Sequence, residues 1–182
     1  MSSKAELKKE GKGWNPVTPG WFVLHAAEAP WVRSRRFGRI CNFEGGSRFP
    51  QIGVNLHVID PGQPACLYHR EDAQEDFFVL SGECRVLIEE EEIPLQGGHF
   101  VHCPPGTNHV FVGAGEGPCT ILMIGYRPPE LSLCYPASPL AAKHGASADS
   151  ETPDPREAYD EWPVFGEPVE PEWLGQPDRQ PG

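Results

Sequence analysis

His69, Glu71 and Glu75 fall within one seven-residue stretch, and His109 follows a Pro104-Pro105-Gly106 turn. On a strand, alternate side chains share a face, so His69 and Glu71 can point the same way. Asp72-Ala73-Gln74 suits a turn. Glu75 then opens the apolar run Phe77-Phe78-Val79-Leu80 and can face back toward the first pair. A rigid Pro-Pro-Gly turn sets the direction of the His109 imidazole, which a metal site needs. Imidazole nitrogens and carboxylate oxygens at such spacing form a coordination shell for one divalent ion, Zn, Fe, Mn or Ni. The bland alternative for Glu71 is a solvated acid in an acidic loop, and for His69 a hydrogen-bonded residue at a barrel mouth. His57, Tyr68, Phe100 and His102 are further pocket candidates, with a surface or core position the more ordinary reading of the two histidines. Cys66 beside His69 reads as a packing thiol. Arg33, Arg35, Arg36 and Arg39 read as a solvated loop or dimer contact, with an anionic substrate as the sharper alternative.

Positioning these groups falls to short strands. Residues 54–60, 66–69, 76–88, 100–103 with 109–112, and 119–126 are strand candidates, broken by Asp60-Pro61-Gly62, Ser81-Gly82, the acidic tip at 89–92, Gly97-Gly98, Pro104-Pro105-Gly106 and the Gly-rich 113–117. Evenly spaced strands without a helical period between them indicate an antiparallel sandwich or barrel. Two shorter stretches, 21–24 and 39–43, are expected as edge strands. Residues 1–20 read as a mobile charged lead-in, 21–136 as the barrel, and 137–182 as an irregular acidic, Pro-rich tail. In that tail Trp162, Phe165 and Trp173 stand isolated and are able to lie over the barrel.

The two histidine-bearing segments resemble the paired motifs of the cupin superfamily. Gly98, five residues, Pro104-x-Gly106, two residues and His109 fit the second motif without gaps; the Asn that commonly closes it is Gly113 here. In the first motif Glu75 and Gly82 match, as does the phrase Val79-Leu80-Ser81-Gly82-Glu83. Fifteen residues separate Gly82 from Gly98, as in small microbial-type members. The departure lies in the His-x-His pair. Taking His69 as the first His puts Glu71 in the second place; taking it as the second puts Leu67 in the first and leaves one residue too many before Glu75. The first alignment is preferred. The resemblance implies an all-β double-stranded β-helix, or jelly roll, and a metal held by His69, Glu71, Glu75 and His109. It also implies the chemistries of such sites: dioxygenases, oxalate-type decarboxylases and sugar isomerases on small oxygen-rich metabolites. Glu71 is the candidate general base if it is not a ligand. By the same analogy the chain is expected to form a homodimer through the Trp21 and Ile40 segments. A non-enzymatic sensor or a partner-binding protein acting through its tail are the other readings.

Composition bounds the rest. The 182 residues suit one domain, and 21 Pro with 20 Gly favour turn-linked strands over a helical bundle. A net charge of -11 argues against nucleic acid or anionic membrane as partner. No apolar run approaches the ~20 residues of a membrane span, and residues 1–13 lack the apolar centre of an export signal. Six cysteines without a CxxC pair are expected to be reduced, which suits the cytoplasm.

Overall fold

The computed structural model describes residues 3–45, 48–160 and 163–170; Trp162, Trp173 and the rest of the tail beyond 170 lie outside them. Among the described residues the chain is an antiparallel β structure. It begins with a hairpin of β1 (Leu7–Glu10) and β2 (Gly13–Pro16), where a mobile lead-in was expected. Of the stretch 21–24, only Trp21 makes a bridge, to Lys4, before a 3-10 turn at Ala26–Glu28. Then follow β3 (Trp31–Ser34), β4 (Gly38–Asn42), β5 (Ile52–Ile59), β6 (Arg70–Glu71), β7 (Glu75–Ser81), β8 (Glu83–Ile88), β9 (Glu91–Gln96), β10 (Phe100–Cys103), β11 (His109–Ala114), β12 (Cys119–Tyr126) and β13 (Leu133–Cys134). Two short helices, α1 (Pro139–Ala142) and α2 (Pro155–Ala158), and a last strand, β14 (Glu167–Val169), complete the described chain.

Seven strands form the larger sheet in the order β10-β7-β12-β5-β4-β3-β14, and three form the smaller, β11-β8-β9. Between them lies the core. Alternation along β7 sends Phe77 and Val79 inward, and their register partners Met123 and Ile121 on β12 go with them. Cys84 and Val86 of β8 and Phe111 of β11 close the same cluster from the other sheet. Ile59, Val79 and Ile121 are fully buried, each worth roughly 1.5–3 kcal/mol of transfer energy. The outer faces are covered separately. Trp31, Cys41, Leu56 and Val58 pack with Ala26 and Ala29 at the 3-10 turn and with Val169 of the neighbouring β14, and Tyr68, Leu87, Val110 and Val112 pack under Ala141 and Ala146.

Gly82, at φ +77°, makes the β7–β8 turn, a conformation that favours glycine. Gly113 stands where the motif commonly has Asn, and the reason is space. Its N–H donates to Gln63 and its carbonyl accepts from Gly62, at 2.9 and 2.8 Å, so closely that a Cβ there would collide with the Asp60 carbonyl.

Candidate metal centre

Three expected ligands converge at one end of the barrel. His69, Glu75 and His109 each offer a donor atom, all within 4.8 Å of one another. His69 and His109 face each other across a bridge, with the His69 N–H donating to the His109 carbonyl at 3.2 Å and the return bond at 2.8 Å. Their rings stand 4.8 Å apart. No strand forms over 66–69; this bridge takes the place of the expected element. Glu75 opens β7 on the same inward face as Phe77, and its Oε2 lies 3.4 Å from His109 Nε2.

The imidazole orientations are set by backbone carbonyls, which can only accept. His69 Nδ1 donates to Leu67 O at 2.8 Å, and His109 Nδ1 donates to Thr107 O at 3.1 Å. Both Nε2 lone pairs therefore face the centre, the tautomer that a metal-ligating histidine needs. The Pro-Pro-Gly turn is tied in turn to the first segment, since Gly106 N–H donates to the Glu71 carbonyl at 2.7 Å.

Burial governs the charges. It pushes His109 down to about 3, helped by the nearby His69 and opposed by the bond to Thr107. Burial lowers His69 as well, against its bond to Leu67. Both rings are thus held neutral, which is the ligating form. Burial pushes Glu75 up to about 8, and the charge of Glu71 adds to that. A carboxylate so disfavoured gains most from a cation placed beside it. Two neutral imidazoles and one partly buried carboxylate suit a borderline divalent ion such as Zn, Fe, Mn or Ni.

Glu71 stands apart from that group. It lies on β6, half-buried, and lines a cavity of about 140 Å³ with Arg70, Asp72, Gly106, Ser132 and Cys134. Desolvation raises its carboxyl, with Asp72 adding to the effect.

The pocket candidates separate by strand face. His57 points into the barrel, with Nδ1 3.4 Å from Met123 Sδ and its ring 5.5 Å from that of Phe165. The other three point away, which corrects their reading as pocket residues. Tyr68 packs under α1 on the outside of the smaller sheet, its hydroxyl accepting from Glu90 N–H at 3.3 Å. His102 and Phe100 pair with Asp76 and Phe78 on the outer face of the larger sheet, where Phe100 is 61% exposed and His102 bonds Asp76 at 2.7 Å. The strand period is clear in the sequence; which of its two phases faces inward is not.

Some neighbours of the centre carried no sequence signal. Tyr135 lies 5.9 Å ring to ring from His69 and stacks edge-on with Tyr159, whose hydroxyl accepts from Leu67 N–H at 3.2 Å. Isolated aromatics in a Pro-rich segment give no period from which such a wall could be read.

Residues 55–125 match the family described as Cupin domain. No curated protein matches the chain. Among solved structures, a sugar phosphate isomerase from a cupin superfamily of Silicibacter pomeroyi DSS-3 is 29% identical over 52% of this chain and 62% of its own, with a TM-score of 0.47. This chain therefore spans under two-thirds of that isomerase's length. A predicted oxalate decarboxylase from Thermotoga maritima is 16% identical over 59% of this chain and all of its own, TM-score 0.52. The polyketide cyclase RemF from Streptomyces resistomycificus is 14% identical over 61% and 83%, TM-score 0.52. The last two share the fold.

Proposed function

Residues 55–125 are a cupin domain, and from that premise we propose that the chain is a metal-dependent enzyme acting on a small, oxygen-rich metabolite. His69, Glu75 and His109 would hold the ion. The observation that carries the reading is the pair of Nε2 atoms turned by backbone carbonyls toward one partly buried carboxylate. A divalent ion held there would supply Lewis acidity to a substrate oxygen.

Glu71 is the proton-handling group of this reading, not a fourth ligand. It lies close enough to raise Glu75, yet outside the 4.8 Å group, and burial, with Asp72 beside it, raises its own carboxyl. A half-buried carboxyl beside a site is placed for general acid–base work. That group is also what favours an enzyme over a sensor module, since binding alone needs no proton carrier. The neighbours' names span isomerase, decarboxylase and cyclase, so the reaction itself is left open between oxidoreductase, decarboxylase and isomerase types. Six free thiols suit the reducing cytoplasm, and the exposed ring of Trp21 offers apolar surface for a homodimer.

Metal content of untagged protein, measured by inductively coupled plasma mass spectrometry, tests the site. Wild type and Glu71→Gln should each carry about one ion per chain. His109→Gln and Glu75→Gln should lose most of theirs while remaining folded. Full metal in His109→Gln overturns the ligand set; loss of metal in Glu71→Gln returns Glu71 to it.

A further inference from the structure

The floor of the centre continues from Glu75 through two glycines to an arginine. Gly125 of β12 pairs with Glu75 on one side and with Gly53 of β5 on the other. Directly opposed residues of neighbouring antiparallel strands share a face. A Cβ on Gly125 would sit 3.9 Å from Glu75 Oε1, and one on Gly53 would sit 2.8 Å from Arg127 Nη2. The carboxylate of Glu75 and the guanidinium of Arg127 therefore lie on the same face of the sheet, at the two ends of a strip that bears no side chain. Opposed Cβ positions are about 4.5–5.5 Å apart, which makes the strip as wide as a small metabolite.

Arg127 is held in place from one side. Its Nη1 reaches the buried Glu44 carboxylate at 2.7 Å and the Phe49 carbonyl at 2.8 Å. Those bonds use Nη1, while Nη2 lies over Gly53. The same guanidinium lines a cavity of about 600 Å³ together with Arg48, Pro50, Pro128, Pro129 and Leu131. Two arginines at one cavity, in a chain of net charge -11, make a local positive spot on an acidic molecule. A tie between the 44–49 loop and β12 would account for Nη1 alone. It does not account for the second arginine or the cavity, and the two positions between the guanidinium and Glu75, Gly53 and Gly125, carry no side chain.

We infer that Arg127 and Arg48 bind the anionic group, carboxylate or phosphate, of a small molecule whose other end meets the metal centre. The second half of that statement rests on the metal reading; the anion site itself does not. A guanidinium with a free edge is suited to either oxyanion, through charge-assisted hydrogen bonds.

Calorimetric titration of the full chain, metal-free and loaded with Zn, tests it with inorganic phosphate and with succinate as separate probes. At least one should bind, which also separates phosphate from carboxylate recognition. Arg48→Gln removes an exposed cation and should raise the dissociation constant about tenfold. Gly53→Ala keeps every charge but drives the Arg127 guanidinium aside and should have a similar effect. Arg35→Gln, an exposed arginine elsewhere, should leave it unchanged. If neither probe binds, or if Arg48→Gln and Gly53→Ala bind as well as wild type, the site does not exist. Equal weakening by Arg35→Gln reduces it to general electrostatics and overturns it too. Anion binding in a chain that takes no metal would keep this site and sink the metal reading; metal uptake without anion binding would do the reverse.

Discussion

His57 is a buried titratable group that the proposed chemistry leaves unused. It is 5% exposed, set against Met123 and Phe165, and burial pushes its imidazole down to about 4, partly offset by a hydrogen bond with the Phe37 backbone. An unfolded histidine titrates near 6.5. The folded value is the lower one, so its contribution is complete above pH 6.5. It is lost as pH falls toward 4, because the unfolded chain takes the proton first. Between pH 7 and 4.5 that loss is on the order of 2–3 kcal/mol for this single group. Urea midpoints at the two pH values should therefore drop further in wild type than in His57→Gln, whatever the variant's stability at pH 7. Equal drops would show that His57 is solvated and free to protonate in the folded state. At this scale the sequence separates ligands from linings unevenly. Motif spacing singles out His69, Glu75 and His109 because their chain separations are set by turns. His57, His102 and Phe100 sit on strands where a one-residue phase decides everything, and the phase follows from packing across the barrel. Arg127 has no motif at all; its place depends on two glycines from different strands.

At the scale of elements, the turn between β8 and β9 is where local chemistry and fold disagree. Glu89 and Glu90 both adopt positive φ, 44° and 66°, a region that costs a non-glycine residue roughly 1–2 kcal/mol. Four consecutive acids read as a solvated tip, and the strand after them stayed hidden. In Glu91–Gln96, Ile93 and Leu95 alternate with Glu92, Pro94 and Gln96, and Pro94 is tolerated because β9 is an edge. Glu89 has a reason to remain. Its carboxylate accepts from Asn108 N–H at 2.7 Å and from Asn108 Nδ2 at 3.1 Å, and so steadies the residue just before His109. Glu90 donates its backbone N–H to the Tyr68 hydroxyl, a bond that glycine keeps, and its carboxylate makes one hydrogen bond, to that same hydroxyl. Glu90→Gly should therefore relieve strain and raise the melting temperature by about 2–4 °C. Glu89→Gly relieves the same strain but loses two charge-assisted bonds and should lower it. Thermal melts of the two variants under one buffer decide the matter: if both stabilise, the carboxylate of Glu89 holds nothing. The barrel strands themselves were open to sequence reasoning because turn residues bound them at short, regular intervals. β14 was not, since its partner β3 lies far away in the chain, and the β1–β2 hairpin was not, since Lys8, Lys9 and Glu10 give it no apolar alternation.

For the whole molecule, the question is whether the segment after residue 136 decorates the barrel or completes it. Arg36 joins it to the β3–β4 turn through Asp160 at 3.0 Å and the Gly145 carbonyl at 2.7 Å. β14 extends the larger sheet beyond β3, with Val169 opposite Trp31. Leu140, Ala141 and Ala146 cover Tyr68, Leu87, Val110 and Val112, while Tyr159, Val164 and Phe165 pack with Phe37, Leu67 and Tyr135 beside His69. Uncovering an aliphatic side chain of this size forfeits roughly 1.5–3 kcal/mol at full exposure. Even half of that, summed over two apolar clusters, is comparable with the 5–15 kcal/mol that holds a typical domain together. A chain ending at residue 136 should thus lose its cooperative melt or bind a hydrophobic dye, and should take up metal poorly because the Tyr135–Tyr159 wall beside His69 is gone. An N-terminal truncation removing residues 1–20 serves as the comparison. It takes away a mostly exposed hairpin with its small share of the described core, and should melt within a few degrees of the full chain. If the two truncations behave alike, the C-terminal segment is an appendage, and the barrel carries its own closure.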